Sequence, residues 1–177
     1  MDRKERPSVV EILRREQANA VQLYLQYKGY HWNVAGPLFR DLHLMFDEHA
    51  KQVFETIDDL AERQRILGMP AEYTLPALQQ ASTLGVEEKL PANPKEMVEH
   101  LVSSHRLVIQ DLKKGFELAD RLGDPGTADL LTRVVLLHEK MEWFLRELLE
   151  NPSPVLEGTG LGPVITPRKE LSIHAGR

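Results

Sequence analysis

Cysteine is absent from the 177 residues, which removes disulfides, thiolate zinc sites and cysteine nucleophiles together. No run of about 18 apolar residues occurs, so no membrane-spanning helix is expected. Residues 1–7 hold no apolar stretch, and no secretory signal is read there. These absences make the cytoplasm the expected compartment. Positive charge is also scarce: 22 Lys and Arg against 27 Asp and Glu leave a net charge of −5. Such a body is a poor nucleic-acid binder by itself, because that binding rests on neutralising phosphates. It is compatible with a protein that attracts cations. Strand signals are few, and no internal repeat or low-complexity segment stands out.

What the chain does contain is helical periodicity, over a length that suits one domain with a substantial core. Ser8 followed by Glu11 reads as a capping-box start. Val9, Ile12, Leu13, Ala20, Leu23, Tyr24 and Tyr27 then form an apolar stripe at helical spacing. That first helix is expected to end near His31 and Trp32, before Gly36-Pro37. A second takes Pro37 into its first turn and runs to Leu67, where Gly68 and Pro70 stop it. At about 30 residues it would be ~45 Å long. A connector covers 69–93, with a short helix near 75–82. Asn93-Pro94 with Glu96 opens a third long helix, striped by Met97, Leu101, Val108, Leu112 and Phe116. Asp124-Pro125 opens the fourth, halted by Asn151-Pro152. Two helical hairpins joined by one longer connector suggest an all-α, ferritin-like four-helix bundle. The expected division is a short extension over 1–7, the bundle over 8–150, and a tail over 151–177 rich in Pro and Gly.

Metal-ligating residue types concentrate in the first half. His43, Asp47, Asp58 and Glu62 all lie on the second helix, and His31 lies at the end of the first. At ~100° per residue, with His43 at zero, Asp47 falls at ~40°, Asp58 at ~60° and Glu62 at ~100°. The four therefore share one arc, a face that a soluble helix ordinarily gives to core contacts. Along the axis, however, the His43/Asp47 pair stands ~22 Å from the Asp58/Glu62 pair. Ligands sit ~2 Å from a metal, so the four cannot meet on one helix. Either other helices of the chain complete two separate sites, or two copies cross about a two-fold axis near Gln52–Val53 and create two equal shared sites. The second arrangement is favoured, with His31 approaching His43 of its own chain. Mixed imidazole and carboxylate ligation suits Fe(II), Zn(II) or Mn(II). Taken singly, each pair also reads as an ordinary charge pair on a solvated helix, with Arg63 and Arg65 as partners for the acidic one.

The sequence His31-Trp32-Asn33-Val34-Ala35-Gly36, then Leu42-His43 and Asp47, then Ile57-Asp58-Asp59-Leu60-Ala61-Glu62-Arg63 and Leu67-Gly68 with Pro70, resembles the Dps family of ferritin-like proteins from starved cells. Both parts and the interval between them match without a gap. The resemblance implies a four-helix bundle with a short helix in the middle connector, assembled into a hollow dodecamer. It implies a ferroxidase that oxidises Fe(II), preferably with hydrogen peroxide, stores ferric mineral, and protects against oxidative stress. It assigns His31, His43 and Asp47 of one chain and Asp58 and Glu62 of its partner to a di-iron centre, with zinc a possible substitute. Trp32 is implied as an electron donor limiting stray radicals, although it reads first as an interface-packing aromatic. Ferritins and bacterioferritins place Glu-x-x-His motifs inside one bundle; no Glu here has a His three residues later.

The remaining candidates are weaker. His49, at ~240° on the same wheel, reads as surface or interface. His100 and His105 carry no motif. His138 is a supplementary ligand if the fourth helix faces the two-fold axis, and otherwise a core or surface histidine. By resemblance, acidic pores near the start of the fourth helix admit iron, with Asp120, Asp124 and Asp129 as candidates and Asp124 alternatively a helix cap. In the tail, Arg168, Lys169 and Arg177 oppose Glu157 and Glu170, a net of +1 that leaves −6 for residues 1–150. DNA binding is therefore expected to be weak or absent, with at most a nucleoid association through many copies of the tail. The competing readings are a DNA-compacting or metal-buffering shell with little turnover, and a purely structural oligomer.

Overall fold

The computed structural model describes residues 6–85 and 89–150; the tail over 151–177 and most of the extension over 1–7 lie outside them. Five helices follow in order: α1 (Arg6–Asn33), α2 (Phe39–Ile66), the short α3 (Leu75–Ala81), α4 (Pro94–Arg121) and α5 (Pro125–Glu150). α1 pairs with α2 and α4 with α5; α1 also packs on α4, α2 on α5, and α3 on α1. This is the expected all-helical bundle with a short helix in the connector. Among the described residues no helix is long and apolar enough to cross a membrane.

The boundaries follow local chemistry, with two corrections. α1 is already helical at Arg6, so Ser8 sits inside the first turns instead of capping them. α2 begins at Phe39, one residue after a Leu38 whose side chain makes no cap bond; Pro37 belongs to the preceding turn. α4 starts as expected: Asn93 Oδ1 accepts from the Glu96 amide at 2.9 Å, and Glu96 reaches back to the Ala92 amide at 2.8 Å. α2 closes with Gly68 at φ 88°. There the Met69 amide bonds the Gln64 carbonyl at 3.1 Å and the Gly68 amide bonds Arg65 at 2.9 Å, a left-handed cap that favours glycine.

All four long helices supply the core: Leu13 and Leu23, Leu42, Phe46 and Leu60, Met97, Leu101 and Leu112, and Leu131, Met141 and Leu145 are fully buried. Each such side chain contributes roughly 1.5–3 kcal/mol by leaving water. Phe116, placed in the third stripe, is instead 39% exposed. Gly115 marks a close approach of α4 to its neighbours, because a Cβ there would stand 2.7 Å from Ile12 Cγ2 and 3.0 Å from Leu131 Cδ1. A polar lock joins the two hairpins: Arg63 bonds the Asp124 carboxylate and Thr127 Oγ1.

Candidate metal centre

The end of α1 and the start of α2 lie side by side, and their histidines interlock. His31 Nδ1 donates to the His43 carbonyl at 2.7 Å, and His43 Nδ1 donates to the His31 carbonyl at 2.8 Å. The rings stack with centroids 3.7 Å apart and planes 22° apart. A carbonyl only accepts, so Nδ1 carries a proton in each ring, which leaves Nε2 as the atom through which each can ligate a metal. An imidazole oriented in this way by a backbone carbonyl is what a metal site needs from its ligands. Phe39 lies against the His43 ring at 5.0 Å. Both histidines are half-buried.

Asp47 stands one turn further along α2. Lys28 Nζ reaches its Oδ1 at 2.8 Å and Lys51 Nζ its Oδ2 at 2.7 Å. Those hydrogen bonds, Lys28's first, hold the carboxyl well below its ordinary range, so it is ionised at any working pH. A cation binding there competes with two ammonium groups.

Asp58 and Glu62 are exposed further along the same helix. Arg63 turns away to Asp124, and Arg65 donates to the Met69 carbonyl at 3.1 Å. Among the described residues neither acid has an ion-pair partner. The charge-pair reading thus lacks its cations. Phe54, at ~20° on the His43 wheel, falls within the ligand arc and is 58% exposed. Trp32 at 67% and Leu44 at 44% are also exposed.

The structure therefore brings the rings of His31 and His43 together, leaves Asp47 one turn further along α2 on its two lysines, and sets Asp58 and Glu62 further along the same helix. It does not join the two sets. Among the described residues no group of three or more His, Asp and Glu side chains in one chain is arranged to hold a metal ion.

The other candidates go elsewhere. His138 is buried inside the bundle, its Nδ1 2.9 Å from His105 Nδ1, and takes no part in either half-site. His49 is no surface residue: it is 4% exposed and its Nδ1 lies 3.0 Å from the Tyr27 hydroxyl. The wheel angle placed it off the ligand arc correctly, but that direction points into the core. Asp124 caps α5, accepting from the Thr127 amide at 3.1 Å and its hydroxyl at 2.6 Å. With Arg63 also bonded to it and only 5% of its surface exposed, it presents no free carboxylate to a pore. Asp120 is exposed, and Asp129, also exposed, pairs with Arg133 at 3.2 Å.

Comparison with known proteins adds the following. The ferritin-like domain matches residues 10–153. An uncharacterised low temperature-induced protein of Nostoc is 34% identical over 157 residues, 88% of each chain. The DNA protection during starvation protein 1 of Deinococcus radiodurans is 32% identical over 85% of this chain and 73% of its own length. Among solved structures, Dps from Thermosynechococcus elongatus has a TM-score of 0.82 at 40% identity, covering 86% of this chain and 97% of that one. An archaeal Dps homologue from Halobacterium salinarum also has a TM-score of 0.82, at 32% identity over 89% and 88%.

Proposed function

This chain belongs to the Dps family of ferritin-like proteins, and we propose that it is a ferroxidase and iron store whose reactive centre is shared between two copies. The observation that supports this most is the pairing of incomplete halves. His31 and His43 hold their Nδ1 protons on backbone carbonyls and so turn Nε2 to ligation, with Asp47 one turn along α2. Asp58 and Glu62, without an ion-pair partner among the described residues, stand about 22 Å along the same arc. Antiparallel crossing of two α2 helices brings each half against its complement, and Phe54, near the axis, is buried by the same contact. Two-fold symmetry makes two equal centres per dimer.

Iron is the substrate. Two Fe(II) ions give one electron each to one hydrogen peroxide, and with two waters yield two FeOOH and four protons. Holding two ions at one centre supplies both electrons together, so one-electron reduction of peroxide to hydroxyl radical is avoided. The protein's part is positional. The carbonyl bonds fix both imidazoles in the ligating tautomer, and the carboxylates of the partner neutralise the cations and can bridge them. Zn(II) fits the same donor set and acts as a competitor. The dodecameric shell belongs to this proposal. DNA is a minor partner in it, since residues 1–150 carry −6 and the tail only +1.

The test mixes anaerobic Fe(II) with stoichiometric peroxide and follows ferric absorbance. Rapid growth, with two iron ions oxidised per peroxide, supports the reading. Growth no faster than in protein-free buffer overturns it. A gel shift across a salt series checks the DNA statement, which tight, salt-resistant binding would contradict.

A further inference from the structure

The centre of the bundle holds a polar chain to which each long helix contributes one residue. His49 on α2, Tyr27 on α1, His105 on α4 and His138 on α5 are linked in that order by contacts of 3.0, 2.6 and 2.9 Å. All four are at most 4% exposed. A set of leucines would fill this volume without requiring matched hydrogen bonds. Both neighbours of the Tyr27 hydroxyl are imidazole nitrogens, and burial pushes the pKa values of His105 and His138 down. The phenol proton therefore faces a bare nitrogen in whichever direction the chain runs. The shorter contact, 2.6 Å, is to His105 Nε2. His105 Nδ1 in turn faces His138 Nδ1, so exactly one proton lies between those two rings.

We propose that Tyr27 is a redox-active residue: it gives one electron to oxidising radicals formed by stray one-electron reduction of peroxide, and His105 takes its proton. The O–H bond of Tyr27 breaks, its electron reduces hydroxyl radical to hydroxide, and an N–H bond forms at His105 Nε2. The proton on His105 Nδ1 passes to His138 Nδ1, leaving a neutral tyrosyl radical and an imidazolium. That imidazolium later returns its proton to the hydroxide, so the sum is one water and one tyrosyl. A buried tyrosine without an acceptor would have to release its proton into an apolar core, which opposes oxidation. Tyr27 stands one turn before His31 on α1, a rise of ~6 Å, and Phe46, next to Asp47, lies 6.2 Å from its ring. The source of radicals rests on the ferroxidase reading; the redox property of Tyr27 does not.

The test separates the two. The chain has four tyrosines, so Tyr24→Phe/Tyr30→Phe/Tyr73→Phe leaves Tyr27 alone. The assembled protein is photo-oxidised without iron, using a ruthenium tris-bipyridine sensitiser, and examined by electron paramagnetic resonance. A tyrosyl signal is expected, slowed in D₂O. Adding His105→Gln should lower its formation rate at least ~tenfold, equivalent to ~1.4 kcal/mol of barrier. No tyrosyl signal, or one unchanged by His105→Gln, overturns the proposal. A second arm adds Fe(II) and peroxide to wild type and to Tyr27→Phe. A higher yield of spin-trapped hydroxyl radical in the variant, at an equal rate of iron oxidation, supports the proposal, and equal yields contradict the protective role. Absence of iron oxidation in wild type would defeat the ferroxidase reading while leaving the photochemical arm valid.

Discussion

His43 and His49 stand under two turns apart on α2 and do opposite things. His43 donates its Nδ1 proton to a backbone carbonyl from a half-buried position, and in the proposed centre its Nε2 is a ligand in a set that a second chain completes. His49 is sealed in the core on Tyr27, and the chain beyond it ends on His138 without leaving the bundle. The outer cluster has donors in excess of partners. The inner one is linked by three contacts, which occupy both nitrogens of His105. An imidazole is ready for a metal when one nitrogen is oriented and the other is open; when both are occupied, as in His105, it organises a core.

The comparison breaks most visibly if the outer histidines are removed. His31→Ala/His43→Ala should slow peroxide-dependent iron oxidation by at least ~100-fold, beyond the ~10–100-fold that losing an outer-shell partner typically costs, with assembly size unchanged. Stopped-flow absorbance and light scattering check both halves of that statement. Tyr27→Phe should do the reverse. It leaves imidazole nitrogens of His49 and His105 without their hydroxyl partner, costing ~1–3 kcal/mol in urea unfolding, with iron oxidation unaltered.

Acid should separate the clusters by pH window. Burial holds His138 and His49 down to about 4, against ~6.5 for a free ring. Between those values the unfolded chain binds more protons, so stability is full above pH ~6.5 and falls toward pH ~4. The slope is at most ~1.4 kcal/mol per pH unit for each ring. Urea midpoints across that range should show it, less steeply in His138→Gln. Asp47 has the same sign in a lower window: its lysine bonds lower its pKa, so its contribution persists down to its ordinary value near 3.8 and is lost only below it. The smallest effect is expected from Lys28→Met, which removes an ammonium group competing at Asp47. Zn(II) should bind a few-fold more tightly by calorimetry, the scale of ~0.2–1 kcal/mol set by an exposed ion pair.

The two clusters also differed in how far the sequence disclosed them. For the outer one, helical periodicity places His43, Asp47, Asp58 and Glu62 on one arc and rise per residue separates the pairs, and the structure adds the stacking of His31 on His43. Helix order and the Asn93 and Gly68 termini were legible for the same local reasons. The inner chain was not, because Tyr27, His49, His105 and His138 are 22, 56 and 33 residues apart in sequence order and have no shared motif. Only the packing of four helices brings them together. One signal was available: His49 at ~240° lies opposite the exposed arc, which on a two-faced helix means the core. Asp124 and Ser8 show the limit of cap reading. Asp124 is a cap, held also by Arg63, which is remote in sequence; Ser8 fits the pattern but α1 starts before it.

The central claim is that each reactive centre takes its halves from two chains, and subunit complementation tests it most directly. One variant carries His31→Ala/His43→Ala, the other Asp58→Ala/Glu62→Ala, and both are inactive as homodimers on this account. Co-assembled at equal amounts, half of the dimers are mixed, and each mixed dimer has one intact and one empty centre by two-fold symmetry. Iron oxidation should return to about a quarter of wild type. No recovery in verified mixed assemblies would place all five ligands within one chain and contradict the shared centre.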